Sequence, residues 1–472
     1  MNYPFWDIPH LGSGWVIGLI AIFHVMISQF AVGGGFYLPM AERKALRMTD
    51  PVLRADWLKQ LASHSKFFLV LTAVFGTVSG VGIWFAIGLT HPEGTSTLIH
   101  NFVFGWAMEW VFFMVELTTI AVYYSTWNRI PEKLHLKVGW VYAGASAFTL
   151  IIINGILSFM LTPGDTWIGV AGTGQEASKF WNAFFNPTYW PSLLLRTCVC
   201  ISLAGIWALI TASRIDGDKH PALKTSNVQW SVKWLVPSFV AMPFLMIWYY
   251  MMVPASQRAL LTLGIDTINS GTFSTVTRMA LIIIVTSATI IWVAYFLAYR
   301  NPTEFNLAHA IAVLLLALIA TGAGEYSREM LRKPYVIGRW MYSNGVRVPY
   351  VNRIDAQGYL ADSEWVWNGA GNGIVSSYSR GEAIFRGECG SCHTLRWYRP
   401  LAHLLEGRDR GNIRNFIVML HDIDPKHDSP YRKFMPPMVG TDQDVSDLAD
   451  FLNAQVNPPA LSAQPQILTA RK

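Results

Sequence analysis

Hydrophobic residues fall along the chain in eight long blocks, separated by connections rich in polar and charged residues. A block of about 20 apolar residues is the length that an α-helix needs to cross a hydrocarbon core about 30 Å thick. The sequence therefore predicts an all-α, polytopic membrane bundle of about eight helices. The predicted spans are residues 13–40, 66–90, 99–126, 138–162, 189–213, 229–252, 275–299 and 305–324. The last span is short and is also compatible with a buried core helix.

Lysine and arginine are distributed unequally between the two sets of connections. The loops between spans 1–2, 3–4, 5–6 and 7–8, together with the span ends beside them, contain fourteen of them, whereas the opposite side has Lys179 and Arg258 in its loops and Arg278 near the start of span 7. Cytoplasmic loops carry the excess of positive charge, so we expect the N-terminus and everything after span 8 to face the periplasm of a bacterium. Span 1 is not predicted to be a signal peptide, because nothing basic precedes it and its apolar stretch is too long. The net charge of +6 is explained by topology and does not indicate nucleic-acid binding.

Composition supports the membrane assignment. The chain is 52% hydrophobic and only 14% charged, against roughly 25% charged residues in soluble proteins. Four cysteines are too few for a disulfide scaffold, and Cys198 and Cys200 are expected to be packing residues in span 5. The composition changes near residue 335. We predict a transmembrane domain (1–335), a periplasmic linker or cover segment (336–375), a small all-α domain (376–457) and a polar tail (458–472).

The small domain contains the motif Cys389-Gly390-Ser391-Cys392-His393. C-x-x-C-H is the attachment signature of c-type haem, in which two thiols add to the haem vinyl groups and the adjacent histidine binds iron. A redox C-x-x-C, a zinc half-site and chance are the alternatives. A redox pair does not need His393, and a zinc site would need a second ligand pair nearby. The motif therefore predicts one covalent haem c.

A distal iron ligand is expected downstream of the motif. Met435 opens the segment Met435-Pro436-Pro437-Met438, and a closing helix is predicted after it. The whole stretch resembles a class I cytochrome c, in which the first methionine of such a segment is the distal ligand. The resemblance points to Met435, with Met438 as the second choice. His403, His421 and His427 remain competing candidates.

Several ionisable residues fall within the predicted spans, where a charge is costly and marks a functional candidate. They are His24 in span 1, Glu109 and Glu116 in span 3, Arg196 in span 5, Arg278 with Met279 in span 7, and Glu325 with Arg328 at the end of span 8. Glu109 and Glu116 are seven residues apart and share one helix face. A buried ion pair of Glu109 or Glu116 with Arg196 is one interpretation. For His24 we favour haem binding. Other histidines (His10, His91, His100, His64 and His309) are expected in loops or at span ends.

The membrane part resembles subunit I of the cytochrome bd oxidases over roughly residues 15–340. The pattern His24, Gly33 and Glu42 has the family spacing, and the resemblance implies that His24 binds a high-spin haem of b or d type. Gly76-Thr77-Val78-Ser79-Gly80 is similar to the family's G-x-x-[ST]-G. The run from Glu116 through Trp127 to Arg129 reproduces E-x10-W-x-R, which places Glu116 on a family glutamate, whereas Glu109 is one residue out of register.

The end of span 8 also resembles the family. Glu325-Tyr326 with Arg328 and Pro334 is similar to its E-Y-G-R-Q-P-W segment, whose glutamate serves the active-site haem, although the segment is longer here. The departures concern the family's low-spin haem b, which uses a histidine in helix 5 and a methionine in helix 7. Met279 matches the methionine, but the helix 5 position is Leu195 or Arg196 and span 5 contains no histidine. The quinol-binding loop between helices 6 and 7 is short, and the family's ninth helix is absent.

These features suggest three functional hypotheses. In the first, electrons enter through a periplasmic haem c and reach a membrane haem near His24, Glu116 and Glu325, where dioxygen is reduced with protons supplied by the carboxylates. In the second, quinol is oxidised in the membrane and haem c passes electrons onward without oxygen chemistry. In the third, a haem-poor membrane part anchors a cytochrome c domain in a larger respiratory complex. The resemblance implies a second membrane subunit of the subunit II type, with a periplasmic cytochrome c or a quinol as redox partner.

Overall fold

A computed structural model of the chain describes residues 6–255, 258, 271–365, 379–421 and 435–458, with the backbone alone described over 271–277. The described residues fall into two compact units. The membrane unit comprises Ile17–Gly88 and Gly94–Trp340. The C-terminal unit comprises Met1–Val16, Leu89–Glu93 and Met341–Lys472.

Eight helices among the described residues are long and apolar enough to cross a membrane, which confirms the predicted all-α membrane bundle. They are α1 (Ser13–Ala45), α2 (Pro51–Thr90), α3 (Pro92–Ser125), α4 (Glu132–Leu161), α5 (Tyr189–Ser213), α6 (Pro221–Met252), α7 (Gly271–Trp292, continued as a π-helix over Val293–Tyr299) and α8 (Leu307–Arg332). Helix α2 contains a π-helical segment at Leu71–Gly76. Short helical segments lie between α4 and α5, at Asp165–Ile168, Glu176–Lys179 and Phe180–Phe184.

Helix α8 is longer than the apolar pattern indicates. The predicted span ends at residue 324, whereas α8 continues to Arg332. An ionic ladder stabilises the extra turns, because Arg328 pairs with Glu325, and Arg332 and Lys333 pair with Glu329, at the i,i+3 and i,i+4 spacings that place side chains side by side on a helix. Glu325 and Arg328 therefore lie within a regular helix, rather than at and beyond its end as the sequence suggested.

Helix α5 is the most deeply packed of the long helices and contacts α4, α6 and α8. Gly33 of α1 allows the closest approach to α5, since a Cβ atom at Gly33 would lie 2.1 Å from the carbonyl oxygen of Cys200. Cys200 is fully buried and Cys198 partly so. Large apolar side chains on other helices are more than 60% exposed, among them Phe104, Phe244 and Ile284, as expected of surfaces that face lipid.

The C-terminal unit has its own hydrophobic core. It contains the short strand β2 (Met341–Tyr342) and a 3₁₀ turn at Val348–Tyr350, whereas the strand β1 (Tyr335–Ile337) belongs to the membrane unit. Short helices follow at Val351–Gln357, Tyr359–Asp362, Arg380–Ile384 and Leu401–Leu404, with a π turn at Phe385–Cys389. Two longer helices, α9 (Arg410–His421) and α10 (Asp442–Val456), complete the described part.

The segment 336–375 was expected to be a linker or cover without helical periodicity. In its described part, the residues from 341 onward belong to the C-terminal unit, and Val351, Ile354 and Leu360 are buried in the same core as the closing helix α10. Two short helices are formed there. These helices are too short for their few apolar residues to show a helical period of 3.6 residues, and they become part of a core only by packing together with α10.

Candidate functional site

The imidazole of His24 is held in α1 by a side chain from α2. Nδ1 of His24 lies 2.9 Å from Oγ of Ser79, which is itself buried. A metal-binding histidine commonly uses one ring nitrogen for such an orienting hydrogen bond while the other nitrogen binds the metal. Gly80 leaves room for the ring, because a Cβ atom at that position would lie 3.3 Å from Cε1 of His24. The residues at His24 therefore fit an axial haem ligand.

Glu116 is buried in α3 and accepts a 2.9 Å hydrogen bond from Ser146 of α4. Glu109 lies two helical turns earlier and is partly buried. The interpretation that either glutamate pairs with Arg196 is wrong, since the partner of Arg196 is Glu325 of α8. The hydrogen-bond partner of Glu116 is instead the neutral hydroxyl of Ser146, which can donate to a protonated carboxyl group as well as to an ionised one.

Arg196, Glu325 and Arg328 form one buried cluster between α5 and α8. Oε1 of Glu325 lies 3.4 Å from Nη1 of Arg196, and its Oε2 accepts a 2.9 Å hydrogen bond from Nε of Arg328. Nε of Arg196 is buried without a hydrogen-bond partner among the described residues. Two guanidinium groups therefore face one carboxylate, and the cluster carries an excess positive charge.

A low-spin haem b does not fit this arrangement. The α5 position that would supply its histidine is occupied by Leu195 or Arg196, and Arg196 is engaged in the ion pair with Glu325. Arg196 was predicted to bind a cofactor, and in the structure it pairs with the carboxylate of Glu325. Met279 lies on α7 and is half-buried.

A second buried ionisable group, which the sequence reasoning did not identify as a site, lies where α1, α3 and α4 meet. Glu42 accepts hydrogen bonds from the Tyr123 hydroxyl at 2.8 Å and from Nδ1 of His135 at 2.9 Å. Nε2 of His135 lies 2.9 Å from the Tyr123 carbonyl oxygen. Both ring nitrogens of His135 thus face oxygen atoms that can accept a hydrogen bond. The signal available in the sequence was a histidine at the start of a membrane span.

In the C-terminal unit, the C-x-x-C-H motif lies on a tight turn. Cys389 and Cys392 are thiols and form no disulfide, and burial raises the pKa of Cys389 well above its usual value. Nδ1 of His393 donates to the carbonyl oxygen of Arg399 at 2.9 Å. That hydrogen bond fixes the tautomer in which Nε2 carries the lone pair for a metal. The residues therefore fit a covalently attached haem with His393 as proximal ligand.

The two candidate distal ligands differ in environment. Met438 is 5% exposed and packs in the core of the C-terminal unit, whereas Met435 is only partly buried. Of the competing histidines, His403 is exposed and lies 3.2 Å from Glu406, and Nδ1 of His421 lies 2.9 Å from the Met438 carbonyl oxygen. His427 lies outside the described residues. Met435 is thus the methionine that is not committed to the core.

The zinc alternative receives no support from the described residues, among which no three His, Cys, Asp or Glu side chains are grouped to hold a metal ion. A cavity of about 160 Å³ adjoins the motif and is lined by Gly387 and Ser391 together with three arginines. Each arginine has a carboxylate partner. The pairs are Arg347 with Glu93, Arg353 with Asp362, and Arg386 with Glu382 and Asp7. The cavity is therefore not a dedicated anion site.

Comparisons with known proteins agree with the membrane part of this arrangement. Residues 13–241 match the family model of cytochrome bd terminal oxidase subunit I. Cytochrome bd-II ubiquinol oxidase subunit 1 of Escherichia coli (strain K12) is 24% identical over 183 residues, which cover 39% of this chain and 34% of that protein. The match thus spans about a third of the curated relative. The solved bd oxidase from Geobacillus thermodenitrificans aligns with a TM-score of 0.56 and 17% identity, covering 70% of this chain and 89% of that one. The membrane part therefore resembles cytochrome bd oxidase subunit I in sequence over residues 13–241 and in fold.

Proposed function

We propose that this chain is a membrane-bound respiratory oxidoreductase that transfers electrons between a covalent haem c and a haem in the membrane domain. In this proposal it is the catalytic subunit of a bd-like terminal oxidase that reduces dioxygen. Haem c would be attached to Cys389 and Cys392 and ligated by His393 and Met435. The membrane haem, of b or d type, would be ligated by His24. The observation that carries the proposal is the His24–Ser79 hydrogen bond, which prepares an intramembrane imidazole for iron.

The residues around the membrane site have separate tasks in this proposal. When bound, the haem iron supplies electron transfer and oxygen binding. His24 orients and holds the haem. Glu116 and Glu109 hold protons within the membrane, because a carboxyl group in a dry environment is readily protonated and reduction of dioxygen to water takes up one proton with each electron. Arg328 and Arg196 keep Glu325 ionised by their charge, which makes Glu325 the least suited of the three carboxylates to carry a proton.

The distribution of lysine and arginine supports a periplasmic location for the C-terminal unit in the cytoplasmic membrane of a bacterium. A soluble periplasmic cytochrome c is then a suitable electron donor. The position of Arg196 supports this direction of flow, because α5 offers no histidine for a low-spin haem b that would accept electrons from quinol. A second membrane subunit of the subunit II type, as the resemblance implies, is part of the proposal.

The alternative function is quinol-to-cytochrome c electron transfer without oxygen chemistry. One observation favours it: Glu325, expected to serve the active-site haem, is held by two guanidinium groups. A haem-poor anchor presenting a cytochrome c domain is the third candidate.

The proposed function is tested by spectroscopy of the purified full-length protein. Pyridine haemochrome spectra should show one haem c and at least one membrane haem per chain, and carbon monoxide should perturb the membrane haem. Oxygen uptake should then be supported by reduced cytochrome c. Membrane haem without a carbon monoxide response, together with quinol oxidation, would favour the alternative, and a pure c-type spectrum would leave only the anchor.

A variant pair assigns the membrane haem to its ligand. His24→Ala should abolish the carbon monoxide response and retain haem c. His100→Ala is the matched control, because His100 is exposed on α3 and its hydrogen bonds within the described part of the chain are with Ser96, one turn earlier. Equal loss of membrane haem in both variants would refute the assignment of His24.

A further inference from the structure

Three consecutive backbone amides in the C-terminal unit donate to three different carboxylates. The amide of Val439 donates to Oε2 of Glu388 at 3.1 Å, that of Gly440 to Oδ1 of Asp355 at 2.8 Å, and that of Thr441 to Oδ2 of Asp444 at 3.0 Å. These amides directly follow Met438, at the end of the segment that begins with Met435. We name Glu388, Asp355 and Asp444 the carboxylate clasp.

The clasp draws together three parts of the chain that are distant in sequence. Glu388 immediately precedes Cys389, Asp355 belongs to the short helix Val351–Gln357, and Asp444 lies in the first turn of α10. Asp444 is fully buried, forms a 2.9 Å ion pair with Arg380 and also accepts the amide of Tyr359 at 3.1 Å. The position of the methionine segment relative to the C-x-x-C-H turn is therefore set by three hydrogen bonds from consecutive backbone amides to carboxyl groups.

The geometry of the clasp requires a glycine at its centre. Gly440 has φ 138°, and a Cβ atom there would lie 2.8 Å from Oδ2 of Asp444. His421 adds a further tie, because its Nδ1 lies 2.9 Å from the Met438 carbonyl oxygen and 4.0 Å from Asp355. With the Met438 side chain in the core, the chain is anchored from Met438 to Thr441, and Met435 is three residues from the first anchor.

Burial of Glu388 in the clasp costs free energy of folding. Its side chain is 7% exposed, and Oε1 is buried with no hydrogen-bond partner among the described residues. An orphaned buried oxygen costs free energy that packing of an apolar side chain would avoid. Its one described hydrogen bond is with the amide of Val439, in the segment that follows Met438.

We propose that the carboxylate clasp is a positioning device that presents the thioether of Met435 to the iron of haem c. The inference rests on the proposed attachment of haem c at Cys389 and Cys392. It assigns to Asp355, outside the motif and its flanking helices, a role in ligation of the haem. Loss of one clasp hydrogen bond should loosen the segment and make Met435 easier to displace from iron.

The test measures methionine ligation in the full-length protein. Asp355→Ala and Glu388→Ala should weaken the near-infrared band of methionine-ligated ferric haem, lower the midpoint potential of haem c, and bind imidazole at the ferric iron about tenfold more tightly. Asp355→Asn and Glu388→Gln keep an oxygen acceptor and should therefore retain methionine ligation. If the charge of these side chains were what mattered, the two amide variants would lose ligation as the alanine variants do. Asp450→Ala is the matched control, because Asp450 pairs with Arg410 at the surface of α10.

The outcomes separate the two levels of inference. A wild-type protein without haem c would overturn both the haem c part of the proposed function and the role of the clasp. If haem c is present but Asp355→Ala and Glu388→Ala change its methionine ligation and imidazole affinity no more than Asp450→Ala does, the role of the clasp alone is overturned. If one alanine variant fails to fold, the Asn or Gln variant at the same position and the other alanine variant are measured instead. Wild-type methionine ligation in the Asn or Gln variant, together with faster hydrogen exchange at residues 436–441 in the other alanine variant, supports the clasp. Unchanged hydrogen exchange overturns it.

Discussion

Nη1 of Arg196 lies 3.4 Å from Oε1 of Glu325, so one of the two residues expected at the ligand position of a low-spin haem, Leu195 or Arg196, is paired with a carboxylate. Both side chains are largely buried, at 9% and 16% exposure. Arg196 thus supplies a positive charge of α5 that pairs with a carboxylate on α8. The stability of the membrane unit should depend on this pair.

We expect Arg196→Leu to destabilise the membrane unit by about 3 kcal/mol, the lower end of the cost of removing one partner of a buried ion pair, because Arg328 still compensates Glu325. Thermal unfolding in detergent provides the measurement. Arg339→Leu is the control: Arg339 pairs with Asp165, both are more than half exposed, and its loss should cost no more than about 1 kcal/mol. Equal effects of the two substitutions would show that Arg196 is not a structural partner of Glu325.

Ser79→Ala removes the side chain that orients His24. Loss of such an orienting partner typically reduces metal affinity about 10- to 100-fold, so we expect a lower content of membrane haem with haem c unchanged. Thr77→Ala is a suitable control, because Thr77 lies half a turn away in α2 and its hydroxyl donates to the carbonyl oxygens of Ala73 and Val74 in its own helix. Retention of the full haem content in Ser79→Ala would contradict an orienting role.

Glu388 should make the C-terminal unit less stable as pH rises. Burial raises the pKa of Glu388 well above its usual value, and the Val439 hydrogen bond opposes this only in part. The folded state therefore holds a proton that the unfolded state releases above its ordinary pKa of about 4.3. Stability should be full below that pH and fall by about 1.4 kcal/mol per pH unit until the raised pKa is reached.

The measurement is a series of denaturant melts at different pH values, followed by the haem c absorption. Glu388→Gln should remove the slope, since the amide has no proton to lose. Asp450→Asn serves as the control, because the Arg410 hydrogen bond lowers the pKa of Asp450 and its effect has the opposite sign. An identical slope in Glu388→Gln and the wild type would assign the pH dependence to another group.

Gly33→Ala should disrupt the contact between α1 and α5. The new Cβ atom would lie 2.1 Å from the Cys200 carbonyl oxygen, and neither backbone can yield without moving a helix. We expect a loss of about 1–3 kcal/mol, as for overpacked cores. At Gly144, an added Cβ atom would meet no atom of the other described elements within 4 Å, so Ala should instead stabilise α4 by up to about 1 kcal/mol. Melting temperatures that move in the same direction in the two variants would exclude this explanation.

The sequence by itself determined the features that depend on local order. The eight membrane helices follow from the length of each apolar block, since a helix that crosses lipid must satisfy its backbone internally. The C-x-x-C-H motif and the missing histidine of α5 are likewise visible without coordinates, because covalent spacing and residue identity are local properties. The charge difference between loops predicts the orientation of the chain in the same way.

Only the tertiary structure decided which groups meet. The partner of Arg196 proved to be Glu325 rather than Glu109 or Glu116, and His135 proved to be paired with Glu42. Asp355, from a segment expected to be a linker, proved to bind the amide of Gly440. Such contacts depend on the packing of helices far apart in the chain. An ionisable residue in an apolar block shows that a buried partner is needed, but its local neighbours carry no record of which distant side chain the fold brings to it.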